Sequence, residues 1–120
     1  PKPVGTEGVS LEPILAGSAA TVREAAITQH PRPAYYNNEP AKKPTHMGYS
    51  VRSATHRYTE WRDWRTGEVA ARELYDHRAD PDETRNLANE GDQNAVVARH
   101  AALLNGMKPL VAPGWKPVSD

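Results

Sequence analysis

The stretch MGYSVRSATHRYTEW, residues 47–61, reads as two short strands around a polar turn. Met47, Tyr49 and Val51 alternate with smaller or polar residues and share one face of the first strand. The second strand, residues 57–64, carries apolar side chains on both faces, Tyr58 and Trp64 on one and Trp61 on the other. A strand covered on both sides has that pattern. The competing reading is a ligand-gripping surface. Arg52, His56, Arg57, Arg62 and Arg65 would meet phosphates while Tyr58, Trp61 and Trp64 stack on bases. Glu60 and Asp63 stand among these bases, and Lys+Arg and Asp+Glu both total 15, so the net charge is zero. Binding driven by counterion release needs an uncompensated basic surface. Cross-strand charge pairing accounts for the same residues, and no nucleic-acid partner is expected.

Around this hairpin there is little material for a core. The 120 residues suffice for one small domain. With 38% hydrophobic residues, no Phe and 11 Pro, an isolated fold of this length is weakly supported. There is no cysteine, which excludes a disulfide framework, a thiolate metal site and a Cys nucleophile. No apolar run approaches the roughly 20 residues of a membrane span, so no membrane partner is expected. The chain starts at Pro1 without an initiator Met or a signal segment, which suggests a processed chain or a fragment.

Residues 1–8, PKPVGTEG, read as a connecting arm. Ser10 is placed to cap a short helix carrying Leu11, Ile14 and Leu15, with Gly17 ending it. A strand at about 24–29 is expected to stop against Pro31, and residues 31–46, with four prolines, to form a long loop. After the hairpin strands at about 47–53 and 57–64, Arg65-Thr66-Gly67-Glu68 makes a turn into a strand at 71–76. Asp80-Pro81-Asp82-Glu83 combines a capping Asp, a first-turn Pro and a Glu three residues after the cap, predicting a helical turn through Leu87. A last helix at about 94–107 carries Val96, Val97, Ala101, Leu104 and Met107 at helical spacing. The expected fold class is α+β: three or four antiparallel strands in a meander with the C-terminal helix packed on them. Residues 1–24 form the arm and short helix, 25–107 the domain proper and 108–120 an irregular tail.

Candidate sites are few. Asp80, Asp82 and Glu83 could hold a hard cation, but the helix cap uses the same residues and also explains the proline. The five histidines, His30, His46, His56, His77 and His100, show no HxxxH or HExxH spacing. No serine lies in a GxSxG context. The loop QHPRP, residues 29–33, is more specific: prolines on both sides of Arg32 limit its backbone and hold the guanidinium outward. Such an arginine suits a carboxylate or sulfate met bidentately. An ion pair with a loop acid such as Glu39 explains it equally well.

Several segments together resemble one family. EGVSLEPIL (7–15), AAITQHPRP (25–33), MGYSVRSATHRYTEW (47–61), ARELYDHRADPDETRNLA (71–88) and the closing helix occur in this order. The series is similar to the C-terminal part of type I sulfatases, within the alkaline phosphatase superfamily, over about residues 5 to 107. The ELYD…DP.E..NLA segment is typical of sulfatases broadly, whereas QHPRP followed by MGYSVR…RYTEW points to the iduronate-2-sulfatase-like branch.

The resemblance implies a small C-terminal subdomain, with a four-stranded antiparallel sheet and a packed helix, belonging to an enzyme that hydrolyses sulfate esters of a sulfated sugar or glycosaminoglycan. The formylglycine nucleophile and the calcium site are expected in a large N-terminal domain, the implied partner, because this chain has no CxPxR-type motif and no Asp-Asp pair. No catalytic or metal residue is carried over, and no cofactor is assigned to this chain. Some members of the branch are cleaved into a large and a small chain that stay associated, and a small chain of this kind fits. The resemblance brings the QHPRP loop to the mouth of the active site, with Arg32 and His30 as substrate-binding residues. It places the enzyme outside the cytoplasm, in a bacterial periplasm, secreted, or lysosomal in a eukaryote, and the absence of cysteine suits a bacterial relative. The alternative is a non-catalytic module that binds an anionic glycan unaided. A module should fold alone, whereas a sulfatase part should expose an apolar face meant for the large domain.

Overall fold

The computed structural model describes residues 8–33 and 44–106. The connecting arm up to residue 7, most of the proline-rich loop including Glu39, Met107 and the tail lie outside the described residues.

Four strands pair in sequence order as an antiparallel meander: β1 (Ala26–Arg32), β2 (His46–Arg52), β3 (His56–Asp63) and β4 (Val69–Asp76). A single helical turn, α1 (Glu12–Leu15), precedes them. A 3₁₀ turn (Gly91–Gln93) leads into the C-terminal helix α2 (Asn94–Gly106), which lies against β2 and β3. The architecture is the expected α+β sheet with one packed helix.

The hairpin β2–β3 pairs Arg52 with Arg57 and Val51 with Tyr58, leaving Ser53–Thr55 as the turn. Ser53 closes it with its side chain, whose Oγ accepts the amide N–H of His56 at 3.1 Å. Asp63 does the same for the next turn. Its carboxylate accepts the amides of Thr66 and Arg65, which hold its pKa below the ordinary carboxylate value. Gly67 follows at φ +76°, a backbone position that suits a residue without Cβ.

Strand parity assigns the faces. Ile27, Tyr49, Val51, Tyr58, Glu60 and Leu74 fall on the helix side, and Val51, Tyr58, Leu74 and Leu104 are fully buried there. Tyr58 brings a hydroxyl into this layer and donates it to Glu60 at 2.8 Å. Burial, then the bond to Glu60, pushes the phenol up to about 12. Glu60, itself buried, is balanced by a two-pronged contact from Arg62. Of the two acids interleaved among the bases of this hairpin, Glu60 is thus paired with Arg62 within the sheet, while Asp63 caps the turn.

His100 occupies a position on α2 where the periodicity predicts only apolar packing. It is 3% exposed. Its Nδ1 donates to the Val96 carbonyl at 2.8 Å, which leaves Nε2 to accept from Ser53 Oγ at 3.0 Å. The helix is thus tied to the hairpin turn by a hydrogen bond as well as by Leu104.

Four expectations change. The first strand does not stop at Pro31 but continues to Arg32, because β1 is an edge strand of this sheet and the missing proline N–H costs no interior pairing. The third strand ends at Asp63, so Trp64 lies in the turn and not on the Tyr58 face. The last strand begins at Val69, ahead of the expected Ala71, with a bulge opposite Trp61 and Arg62. Finally, residues 80–87 form no helical turn. Asp80 accepts the Arg85 amide and the Thr84 hydroxyl, while Glu83 sits at φ 56°, outside the helical region, with its carboxylate on Arg57 and His77. Beyond it, Asn86 accepts the Leu74 amide and donates to the Arg72 carbonyl, and Leu87 donates to the Leu74 carbonyl. This segment occupies the outer edge of β4, an edge that would otherwise be open to another strand.

Leu104→Ala is expected to cost about 2–5 kcal/mol by leaving a cavity over Val51 and Tyr58, measured by urea unfolding. Acid should also weaken the fold. Burial chiefly lowers the His56 pKa, opposed by Asp76 and reinforced by His100, Arg78 and His77. A histidine with a depressed folded pKa contributes stability that is fully present above its unfolded value of about 6.5 and is lost as pH falls through the folded value. His56→Gln should flatten that part of the stability-versus-pH curve as pH falls below about 6.5.

Candidate functional site

The sheet face away from α2 has a different chemistry. It presents Thr28, His30 and Arg32 from β1, Gly48 and Ser50 from β2, Arg57, Thr59 and Trp61 from β3, and Ala71 and Glu73 from β4. Apart from Trp61 and Ala71 these are small or polar residues, as on a sheet surface that meets water or a polar ligand.

Trp61 is the centre of this face. It pairs with Gly48 across the β2–β3 ladder, and its ring lies over that glycine. A Cβ at position 48 would come within 2.7 Å of the indole ring, so the close approach requires glycine. The indole Nε1 donates to Glu73 at 3.0 Å, and the Arg32 guanidinium sits over the ring, 4.4 Å from its centroid. A cation over an indole at that distance is attracted by the ring's negative face.

Depressions open on either side of the ring. One, of about 290 Å³, is lined by Arg32, His46, Trp61, Ala70, Ala71 and Glu73. The other, of about 240 Å³, includes Thr28, His30, Arg32, Ser50 and Arg57 in its wall, with the carboxylates of Glu73 and Glu83. The two residues singled out from the sequence, Arg32 and His30, thus lie two apart on β1 and face the same depression. Arg32 borders both. Its backbone is held by pairing, since the carbonyl accepts the Thr45 amide at 2.7 Å. Gly48 and Glu73 had no signal as site residues in the linear sequence, and Trp61 entered only as a stacking residue in the nucleic-acid reading. The available clue was register: pairing MGYS against RYTEW sets the lone glycine opposite the tryptophan.

This face offers donors for an anion. Arg32 has no acidic partner among the described residues, whereas Arg57 is engaged by Glu83 at 2.9 Å. Ser53 and His100, 3.0 Å apart, have the spacing of a nucleophile and its base. His100 is buried and Ser53 Oγ is occupied by turn amides, so the pair is a structural joint. Among the described residues no group of three or more His, Cys, Asp or Glu side chains is placed to hold a metal ion. Gly48→Ala should force the indole off β2 and separate it from Arg32. The expected result is a loss of about 1–3 kcal/mol in urea unfolding together with a shifted tryptophan emission.

No protein-family model matches the chain. In sequence it is 31% identical to mouse iduronate 2-sulfatase over 110 residues, which is 82% of this chain and 18% of that enzyme. In structure it superposes on a protein of Bacteroides thetaiotaomicron named as a sulfatase, with a TM-score of 0.64 and 29% identity, covering 88% of this chain and 20% of the other. It shares its fold, at TM-score 0.64 and 24% identity over the same shares, with BT4656, which was solved in complex with its substrate D-glucosamine-2-N,6-O-disulfate. The chain therefore spans about a fifth of the length of these relatives. Its four-stranded antiparallel sheet and packed helix match the corresponding part of these sulfatase structures.

Proposed function

We propose that this chain is the C-terminal portion of a sulfatase of the iduronate-2-sulfatase-like branch, hydrolysing sulfate esters of a sulfated sugar or glycosaminoglycan. The observation that carries the reading is the joint match in sequence and fold to sulfatases over more than four-fifths of the chain. Residues 25–107 form the subdomain, between the arm and short helix of 1–24 and the tail of 108–120. The partner is a large N-terminal domain, which holds the formylglycine nucleophile and the calcium ion. The sequence carries no CxPxR- or SxPxR-type motif, so neither is assigned to a residue of this chain.

This chain's own residues bind and orient. Arg32 grips a sulfate or carboxylate of the saccharide through its in-plane N–H groups, and His30, on the same depression, adds a second contact to the sugar. The exposed apolar residues Val9, Leu11, Ile14 and Leu15, from 40% to 86% accessible, cluster in the N-terminal segment. They support a sulfatase part that packs against the large domain over an unaided glycan-binding module, which would leave no such surface uncovered. The reading places the enzyme outside the cytoplasm.

The 120-residue chain by itself should show no turnover of 4-nitrophenyl sulfate, and measurable hydrolysis by the chain free of any partner would overturn this assignment. In the complete polypeptide, Arg32→Ala should raise KM for a sulfated saccharide roughly ten- to a hundredfold, the range set by a lost charged hydrogen bond. An unchanged KM would remove Arg32 from the substrate contacts.

A further inference from the structure

An arginine at the exposed end of an edge strand ordinarily samples many rotamers, and an anion that binds it must first select one. Arg32 departs from that pattern. Among the described residues its guanidinium has neither a hydrogen-bond nor an ion-pair partner, and it stacks over the Trp61 ring. A guanidinium can stack by its face while donating through its edge, so this contact orients the group without consuming its N–H donors.

Trp61 is itself immobilised by two elements. Glu73 on β4 takes the indole N–H, and the missing Cβ of Gly48 on β2 leaves the floor on which the ring rests. The constraint runs across the sheet in one line, from Glu73 to Trp61 to Arg32. Arg32 then borders both depressions with its donor edge unused.

We infer that Trp61 is a positioning residue for anion binding: pinned by Glu73 and Gly48, it holds the Arg32 guanidinium in the plane that receives a sulfate or carboxylate group of the substrate. This rests on the reading of Arg32 as a substrate-facing residue, and the test separates the two. The role belongs to the stack and not to a sugar platform, because the ring already carries Arg32.

The probe is inorganic sulfate, titrated at constant ionic strength into the complete polypeptide carrying ¹⁵N-labelled arginine and tryptophan. The readouts are the Arg32 Nε–Hε and Trp61 indole resonances, with circular dichroism checking the sheet in each variant. The wild type should show saturable movement of the Arg32 resonance, lost in Arg32→Ala. Trp61→Leu should weaken the apparent Kd roughly two- to fivefold, the range expected from an exposed cation–π contact, and Trp61→Phe should recover part of it. Gly48→Ala displaces the ring without changing the charge around the depression, which Glu73 and Glu83 also line, and should give a comparable loss even if Trp61→Leu disturbs the fold. Sulfate binding that depends on Arg32 but is indifferent to Trp61→Leu and Gly48→Ala would overturn the positioning role and leave Arg32 as the binding residue. Binding that is absent, or unaffected by Arg32→Ala, would overturn both.

Discussion

Tyr58 pairs with Val51 on one side and Leu74 on the other, and Leu104 of α2 lies in the same fully buried cluster. With so few apolar residues available, this row across three strands and its helical cover make up most of the core. Its burial sets the parity of every strand, since sliding one strand by a single residue would turn Tyr58 or Val51 outward. The polar members of the layer are matched to one another: the Tyr58 hydroxyl goes to Glu60, Glu60 to Arg62, and His100 to Ser53 and Val96. No buried side-chain nitrogen or oxygen among the described residues lacks a partner, so the layer leaves no described buried donor or acceptor unsatisfied.

The opposite face follows from that choice. Because Tyr58 points to the helix, Trp61, three residues on, must point away from it, together with Arg32, His30 and Glu73. One strand, β3, therefore carries the centre of the core and the centre of the candidate site on its two faces. Its two-sided apolar pattern arises from two separate demands, burial under α2 on one side and support of Arg32 on the other.

The sulfatase resemblance acquires physical content in the same way. In the ELYD…NLA segment, Leu74 fills the core while Asn86 and Leu87 bond to the backbone of β4 and occupy its edge. Asp80 and Glu83 between them shape the connection instead of starting a helix. In the relatives this unit is about one-fifth of a larger chain, and the apolar N-terminal segment is the surface on which a sulfatase part would meet the remainder.

Local periodicity in the sequence determined the hairpin at residues 47–61, the strand around ELYD, the closing helix and the α+β class, because period-2 and period-3.6 patterns need no distant partner to be read. The placement of Arg32 and His30 near a strand end was also legible, from the prolines beside them. Tertiary structure alone decided the rest. Glu83 could be read as a helix cap until Arg57 and His77, brought beside it by the meander, took its carboxylate. Pro31 stayed within a strand because β1 lies at the edge of this sheet. Trp61 became the support of Arg32 only once β1, β2, β3 and β4 were in register. That contact joins residues far apart in the chain, and no local pattern encodes it.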